Sequence, residues 1–326
     1  GTVTVKELLA TNGANSVISF NGGTIVSAGT TVNNGADFKI GDTGSGATFI
    51  ANGGTHNFAN AMVVGFSGSS NSLTVAGGGT VAASGLTIAA SNGSSGTLNI
   101  GRSGTNDTGG TIIAPTIAFG AGTGAINFNQ SDAVTITSAI SGAGTLNQLG
   151  AGTTTLSATN TYSGDTTISA GVLRLAGENA AGSGRIIQTA LDSLVEFLGG
   201  GRMTNDMTVF QYSFANSLEA AGQVTLADTA SSIAVFADQA VTGSGSFVGA
   251  GGLTKLGAGT LALTAGNSFS GPLSVVAGTL QLDSVSGAAA GSVTSVSVGS
   301  GATLLVSQSN QVNSSASVTL SGGTIR

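Results

Sequence analysis

Residues 142–175 recur at 249–282 without a gap, with 18 identities over 34 positions. Leu149–Thr153 returns whole as Leu256–Thr260, and Ala180–Ser183 returns as Ala289–Ser292, where the offset has grown from 107 to 109. A chain that copies itself at such a distance presents each neighbour with the same faces, so it is built to stack on itself. A shorter unit, Gly-Gly-Thr followed by Ile or Val, sits at Gly22–Ile25, Gly78–Val81, Gly109–Ile112 and Gly322–Ile325. These repeats constrain the fold more than any single motif does.

The local pattern is that of strands. Leu73-Thr74-Val75, Leu86-Thr87-Ile88, Leu98-Asn99-Ile100, Ile126-Asn127-Phe128 and Val134-Thr135-Ile136 alternate apolar with polar and are bounded by Gly, Asn or Ser. Lys6–Ala10 and Ile186–Phe197 are the two stretches with any helical character. Short strands at this spacing suit a sandwich or barrel as well. A sandwich, however, joins unlike neighbours through Asn-Gly or Asp-Gly hairpins, whereas here each strand resembles one a fixed distance onward.

The expected fold is therefore all-β: a right-handed parallel β-helix (β-solenoid) with short coils and a ~107-residue superrepeat. It is expected to be continuous over 1–326, with Gly-Gly-Thr-rich coils at 1–140, a first superrepeat at 141–248 and a second, truncated one at 249–326. Coils of about 20–25 residues would stack into a rod of roughly 60–80 Å. Positions 107–109 apart are expected at equivalent corners and faces. Leu146, Leu149, Leu156, Ile168 and Leu173 are expected inside, as are Leu253, Leu256, Leu263, Val275 and Leu280.

Composition then removes function classes. With 40% hydrophobic residues the chain can bury a core, which a disordered polar chain cannot. There is no cysteine, hence no disulfide, thiolate metal site or cysteine nucleophile. The net charge is −6 and the eight basic residues are scattered, so no footprint for nucleic acid or anionic lipid exists. No apolar run reaches the ~18 residues of a membrane helix, and no insertion of this segment is expected.

Candidate chemistry is sparse. His56 is the single histidine, alternating with Phe58 on a strand; a solvated or laddered role outweighs a general base with no visible partners. The densest charge lies in Glu178–Asp238: Glu178, Arg185, Asp192, Glu196, Arg202, Asp206, Glu219, Asp228 and Asp238. Paired carboxylates there could serve a glycosidase or lyase, and Asp192 and Glu196 are the residues whose loss would reveal it. Solvated loop charges are the weightier reading. Gly120–Gly124 and Gly243–Gly245 mimic phosphate loops, but no helix follows either. A sugar-stacking platform would use exposed Trp or Tyr. Phe49, Phe58, Phe66, Phe119 and Phe128 instead lie in alternating runs and are expected to stack inside. No catalytic, cofactor-binding or metal-binding residue is assigned, and no enzymatic activity or cofactor is expected.

One stretch carries a family resemblance. Gly144-Thr145-Leu146, Leu149-Gly150-Ala151-Gly152-Thr153, Asn160-Thr161-Tyr162-Ser163-Gly164 and Gly171-Val172-Leu173, with their second copies through Leu282, resemble the passenger-associated repeat of type V autotransporters. The resemblance implies a secreted β-helix at the surface of a Gram-negative bacterium, in a parent chain with an outer-membrane barrel. The chain starts at Gly1 without a signal peptide and stops in mid-repeat without a cap, so a passenger segment, or ends covered by another copy, is expected. The function expected is a structural rod acting through contacts: adhesion, aggregation or display. Its partners would be copies of itself, host or matrix surfaces, or glycans. A self-assembling filament or surface layer is the alternative, and a β-helical polysaccharide lyase or hydrolase the remoter one.

Overall fold

Alternation in sequence becomes alternation in burial. In Ser95–Ile100, Gly96, Leu98 and Ile100 face inward while Ser95, Thr97 and Asn99 face out, and Thr123–Phe128 repeats the pattern. The computed structural model describes residues 1–104, 106–177 and 179–326. It falls into two units, one of Gly1–Leu173 with Asn179–Gly184, the other of Arg185–Arg326 with the described part of 174–178.

In the first unit one ladder runs through Thr2–Val5, Gly23–Ser27, Ala47–Asn52, Asn71–Ala76, Ser95–Ile100, Thr123–Phe128, Thr145–Gln148 and Thr166–Ile168. A second side is built from Leu8–Ala10 through Thr111–Ile113, and a third from Phe38–Ile40 through Ala139–Ser141. A fourth ladder of the first unit pairs Ala133–Ile136 with Thr153–Leu156, and the second unit has three ladders, beginning at Ile186–Gln188, Leu194–Phe197 and Gly201–Met203. Among the described residues, strands pair with the strand one coil later and not with the next in sequence, and the pairs are parallel. This is a parallel β-solenoid. The sole helical element among the described residues is the 3-10 turn Gly13–Asn15.

The stretches with helical character are strands too: Leu8–Ala10, Ile186–Gln188 and Leu194–Phe197. Coil length varies more than expected. Thr97 sits opposite Ala125 and Glu196 opposite Ser213, intervals of 28 and 17 residues. Extra residues go into corner loops, because the ladders themselves tolerate no slip without turning their apolar side chains outward.

Two interior assignments are overturned. Leu149 is 44% exposed and Leu256 is half-buried. Strand parity explains both. Leu146 faces in, so Gln148 does; Leu253 faces in, so Lys255 does. The leucine that follows must then point out. The other eight predicted interior residues are buried. Of the five phenylalanines, Phe66 is the exception: it is exposed at a turn, where the Lys39 ammonium lies 4.0 Å from its ring centroid.

The two repeat copies share one corner contact for contact. Asn160 accepts from Ile140 N–H at 2.8 Å and donates to Ala180 C=O at 2.7 Å. Asn267 does the same with Phe247 N–H and Ala289 C=O, at 2.7 and 2.8 Å. Each asparagine ties its own corner to the coils before and after it, and the second partner shows the step in offset from 107 to 109. Faces are not equivalent, since Thr145–Gln148 and Leu253–Leu256 belong to different ladders.

One exchange between the copies is chemically paired. Tyr162 is fully buried and its hydroxyl lies 2.6 Å from Thr166 Oγ1; the second copy has Phe269 and Leu273 in these places. Burial raises the Tyr162 phenol far above its ordinary pKa. Tyr162→Phe alone leaves the Thr166 hydroxyl unpaired and is expected to cost about 1–3 kcal/mol. Adding Thr166→Val should cost less than the sum of the single changes, with a coupling of about 1 kcal/mol in a denaturant double-mutant cycle.

Candidate functional site

The polar chemistry divides between coil corners and outer faces. Inside the first unit, His56 is fully buried on Thr55–Phe58 between Thr30 and Val81 of adjacent coils. Its Nε2–H donates to Gly53 C=O at 2.8 Å, and its Nδ1 lies 2.9 Å from the Thr30 hydroxyl, which also reaches Ser27 Oγ at 3.1 Å. Burial lowers its pKa, against the smaller opposing pull of the Gly53 carbonyl. The ring is thus a neutral rung of an internal ladder, not a solvated group, and both nitrogens are committed to structure.

Gln148 and Lys255, 107 positions apart, each face inward at the corner that ends a strand of their own repeat copy. Gln148 Nε2 donates to Gly150 and Gly152 C=O at 2.9 and 3.1 Å. The Lys255 ammonium donates to Leu256, Gly257 and Ala277 C=O at 2.7, 2.7 and 3.2 Å. These carbonyls belong to tight glycine corners; Gly152 C=O also accepts from Val172 N–H at 3.0 Å, and the inward donors engage carbonyl oxygens that the corner turns toward the core. Burial lowers the lysine pKa to about 8. Sequence reading missed both residues; counting parity inward from Leu146 and Leu253 would have found them.

The charge-rich stretch resolves into pairs and turns. Glu178 lies outside the described residues. Arg174 pairs with Glu196, and Arg202 Nε lies 3.2 Å from Glu219 Oε2 on the neighbouring strand. The Ser244 hydroxyl, then Arg202, hold the Glu219 carboxyl below the usual range. Asp206 accepts from Gln223 N–H at 2.8 Å, and Asp228 from Ala230 N–H at 3.0 Å. Asp238 holds a left-handed turn position at φ +62°, and Asp192 is exposed. Glu196 and Glu219 lie in different ladders, and each carboxylate is engaged by a guanidinium. Among the described residues no three His, Asp or Glu side chains converge as metal ligands would.

The outer faces of 43–164 are the opposite case. Only Arg102, Asp107 and Asp132 carry charge in this span. Arg102 pairs with Asp107 at 3.3 Å, and Asp132 accepts from Gly109 N–H at 2.8 Å. The long ladder instead presents an amide column. Asn147 donates to Asn127 at 2.9 Å, Asn127 to Asn99 at 3.1 Å, and Asn99 to Thr74 at 3.4 Å. On the second side, an open groove of about 380 Å³ is lined by Thr31, Asn33, Asn57, Ala82, Ala83 and Ile113 among others.

Residues 146–175 and 253–282 match the passenger-associated-transport-repeat family. Two such repeats on a parallel β-solenoid support a type V autotransporter passenger, a class exported to the surface of Gram-negative cells. Over 101 residues the chain is 40% identical to the adhesin BmaC autotransporter of Brucella suis biovar 1 (strain 1330). That stretch is 31% of this chain and 3% of the adhesin's length, so the chain spans a small part of that relative. No solved structure matches the chain.

Proposed function

We infer that the chain works through contacts of its outer faces, as an adhesin-type passenger, and has no catalytic activity. The observation that supports this most is where its reactive groups go. His56 and Lys255 are spent on corner carbonyls, Glu196 and Glu219 on arginines, Asp206 and Asp228 on backbone amides, and the long ladder of the first unit presents a column of amides outside. A relative that carries the name adhesin supports the same reading. In the parent chain an outer-membrane barrel would hold these coils at the cell surface. Packing of neighbouring copies into a filament is the second reading, favoured by the near absence of charge over 43–164, which leaves little repulsion between faces.

The test is display of 1–326 on a non-adherent bacterium, scored for adherence to surfaces and for clumping, with light scattering of the purified chain. Gain of adherence with a monomeric chain is the expected result. Assembly of the purified chain would favour the filament reading. A monomer that confers neither adherence nor clumping would overturn both.

A further inference from the structure

We propose that the groove on the second side of the first unit binds an uncharged polysaccharide chain, with the glycan lying along the stack of coils. The proposal rests on the adhesion reading and names its ligand. Thr31, Asn57, Ala82 and Ile113 are successive rungs of one outward column, each opposite the next in the parallel register. At the ~4.8 Å spacing of paired strands they span about 14 Å, enough for a few sugar rings. Ala82, Ala83 and the exposed Ile113 provide a methyl floor. Thr31, Asn33 and Asn57 provide hydroxyl and amide edges. A pyranose chain has this same pairing of C–H faces and hydroxyl rims.

Charge and backbone exclude an acidic glycan and an added peptide strand. None of the lining residues is charged, and Thr43–Gly101 contains no Asp, Glu, Lys or Arg at all, so an acidic glycan finds no cation to pair with. The strand N–H and C=O groups beneath the groove are consumed by pairing between coils, so a peptide cannot add there as a further strand. No aromatic ring is exposed in the lining, so each contact is weak; retention comes from many chains on one cell meeting a repeating polymer.

The purified chain is run by affinity electrophoresis through gels containing soluble β-glucan, mannan or galactan, with alginate and heparin as acidic probes, at low and molar salt. Retardation by a neutral glycan is expected, unchanged by salt because no ion pair is involved. Ala82→Arg, which fills the groove, should weaken it at least tenfold, and Asn57→Ala severalfold. Ala258→Arg, at an exposed position of the second unit, should leave it intact, and melting curves of each variant establish that the coils are folded. No retardation, equal retardation of Ala82→Arg, or a preference for alginate or heparin would each overturn the proposal. If cells displaying the chain still adhere while no glycan retards it, the groove assignment fails and the adhesion reading stands. Loss of both outcomes defeats both.

Discussion

Gly278→Ala is expected to destabilise the second unit by about 3–5 kcal/mol, while Gly301→Ala, at nearly the same backbone angle, costs about 1–2. Both residues hold left-handed φ, at +68° and +72°, so both substitutions meet the same intrinsic strain. They differ in what surrounds the new methyl. At Gly301 nothing lies within 4 Å. At Gly278 the Cβ would fall 2.5 Å from Gly257 O and closer still to Gly259 O, both in the coil beneath. Neither carbonyl can retreat, because Gly257 C=O holds the Lys255 ammonium and Gly259 C=O accepts from Thr279 N–H. The first copy predicts its own result: Gly171, at φ +62°, meets Gly150 and Gly152 in the same way, so Gly171→Ala should match Gly278→Ala. Urea denaturation of the three variants checks the order, and equal losses at 278 and 301 would show that stacking distance is not what selects glycine there.

Most of the fold was legible because solenoid sequence and solenoid geometry share a period. The copy at 107 residues announced stacking, and alternation in runs such as Leu98-Asn99-Ile100 announced which side chains face in. What was not legible lay at corners. Leu149 follows a strand and Leu256 ends one, and both are apolar, so hydrophobicity placed them inside; only strand parity puts them out. Phe66 failed similarly, since its turn breaks the alternation and Lys39 covers its ring. Charge gave no signal at the other corner. A lone lysine in Leu253-Thr254-Lys255-Leu256 reads as an outward residue, yet the unpaired carbonyls of a glycine corner make an inward ammonium favourable. The groove had no local signal, because Thr31, Asn57, Ala82 and Ile113 are brought together only by register across coils of unequal length.

Lys255 is where this corner chemistry gives its largest testable effect. Lys255→Met keeps the length of the side chain but removes every donor, leaving up to three buried carbonyls unpaired at ~1–3 kcal/mol each. Relief from burying a charge offsets part of that loss, so a net destabilisation of about 3 kcal/mol is expected. Lys255→Gln reproduces what the first copy does with Gln148 and should cost under about 1.5 kcal/mol. The pH dependence separates the ammonium from mere packing. With its folded pKa lowered to about 8 from 10.5, the lysine gives up its proton in the folded chain before it does in the unfolded one. Between those values the unfolded state binds more protons, so the stability contributed by this residue rises with pH through the window from about 8 to 10.5. The buried Tyr162 and Tyr212 phenols, whose pKa values are raised, act in the reverse sense above pH 10. They are common to all three chains and cancel in the difference. Stability of the native chain minus that of Lys255→Gln, measured by urea melts from pH 7 to 10, should therefore climb with pH. A flat difference would mean that burial does not lower the pKa of this amine.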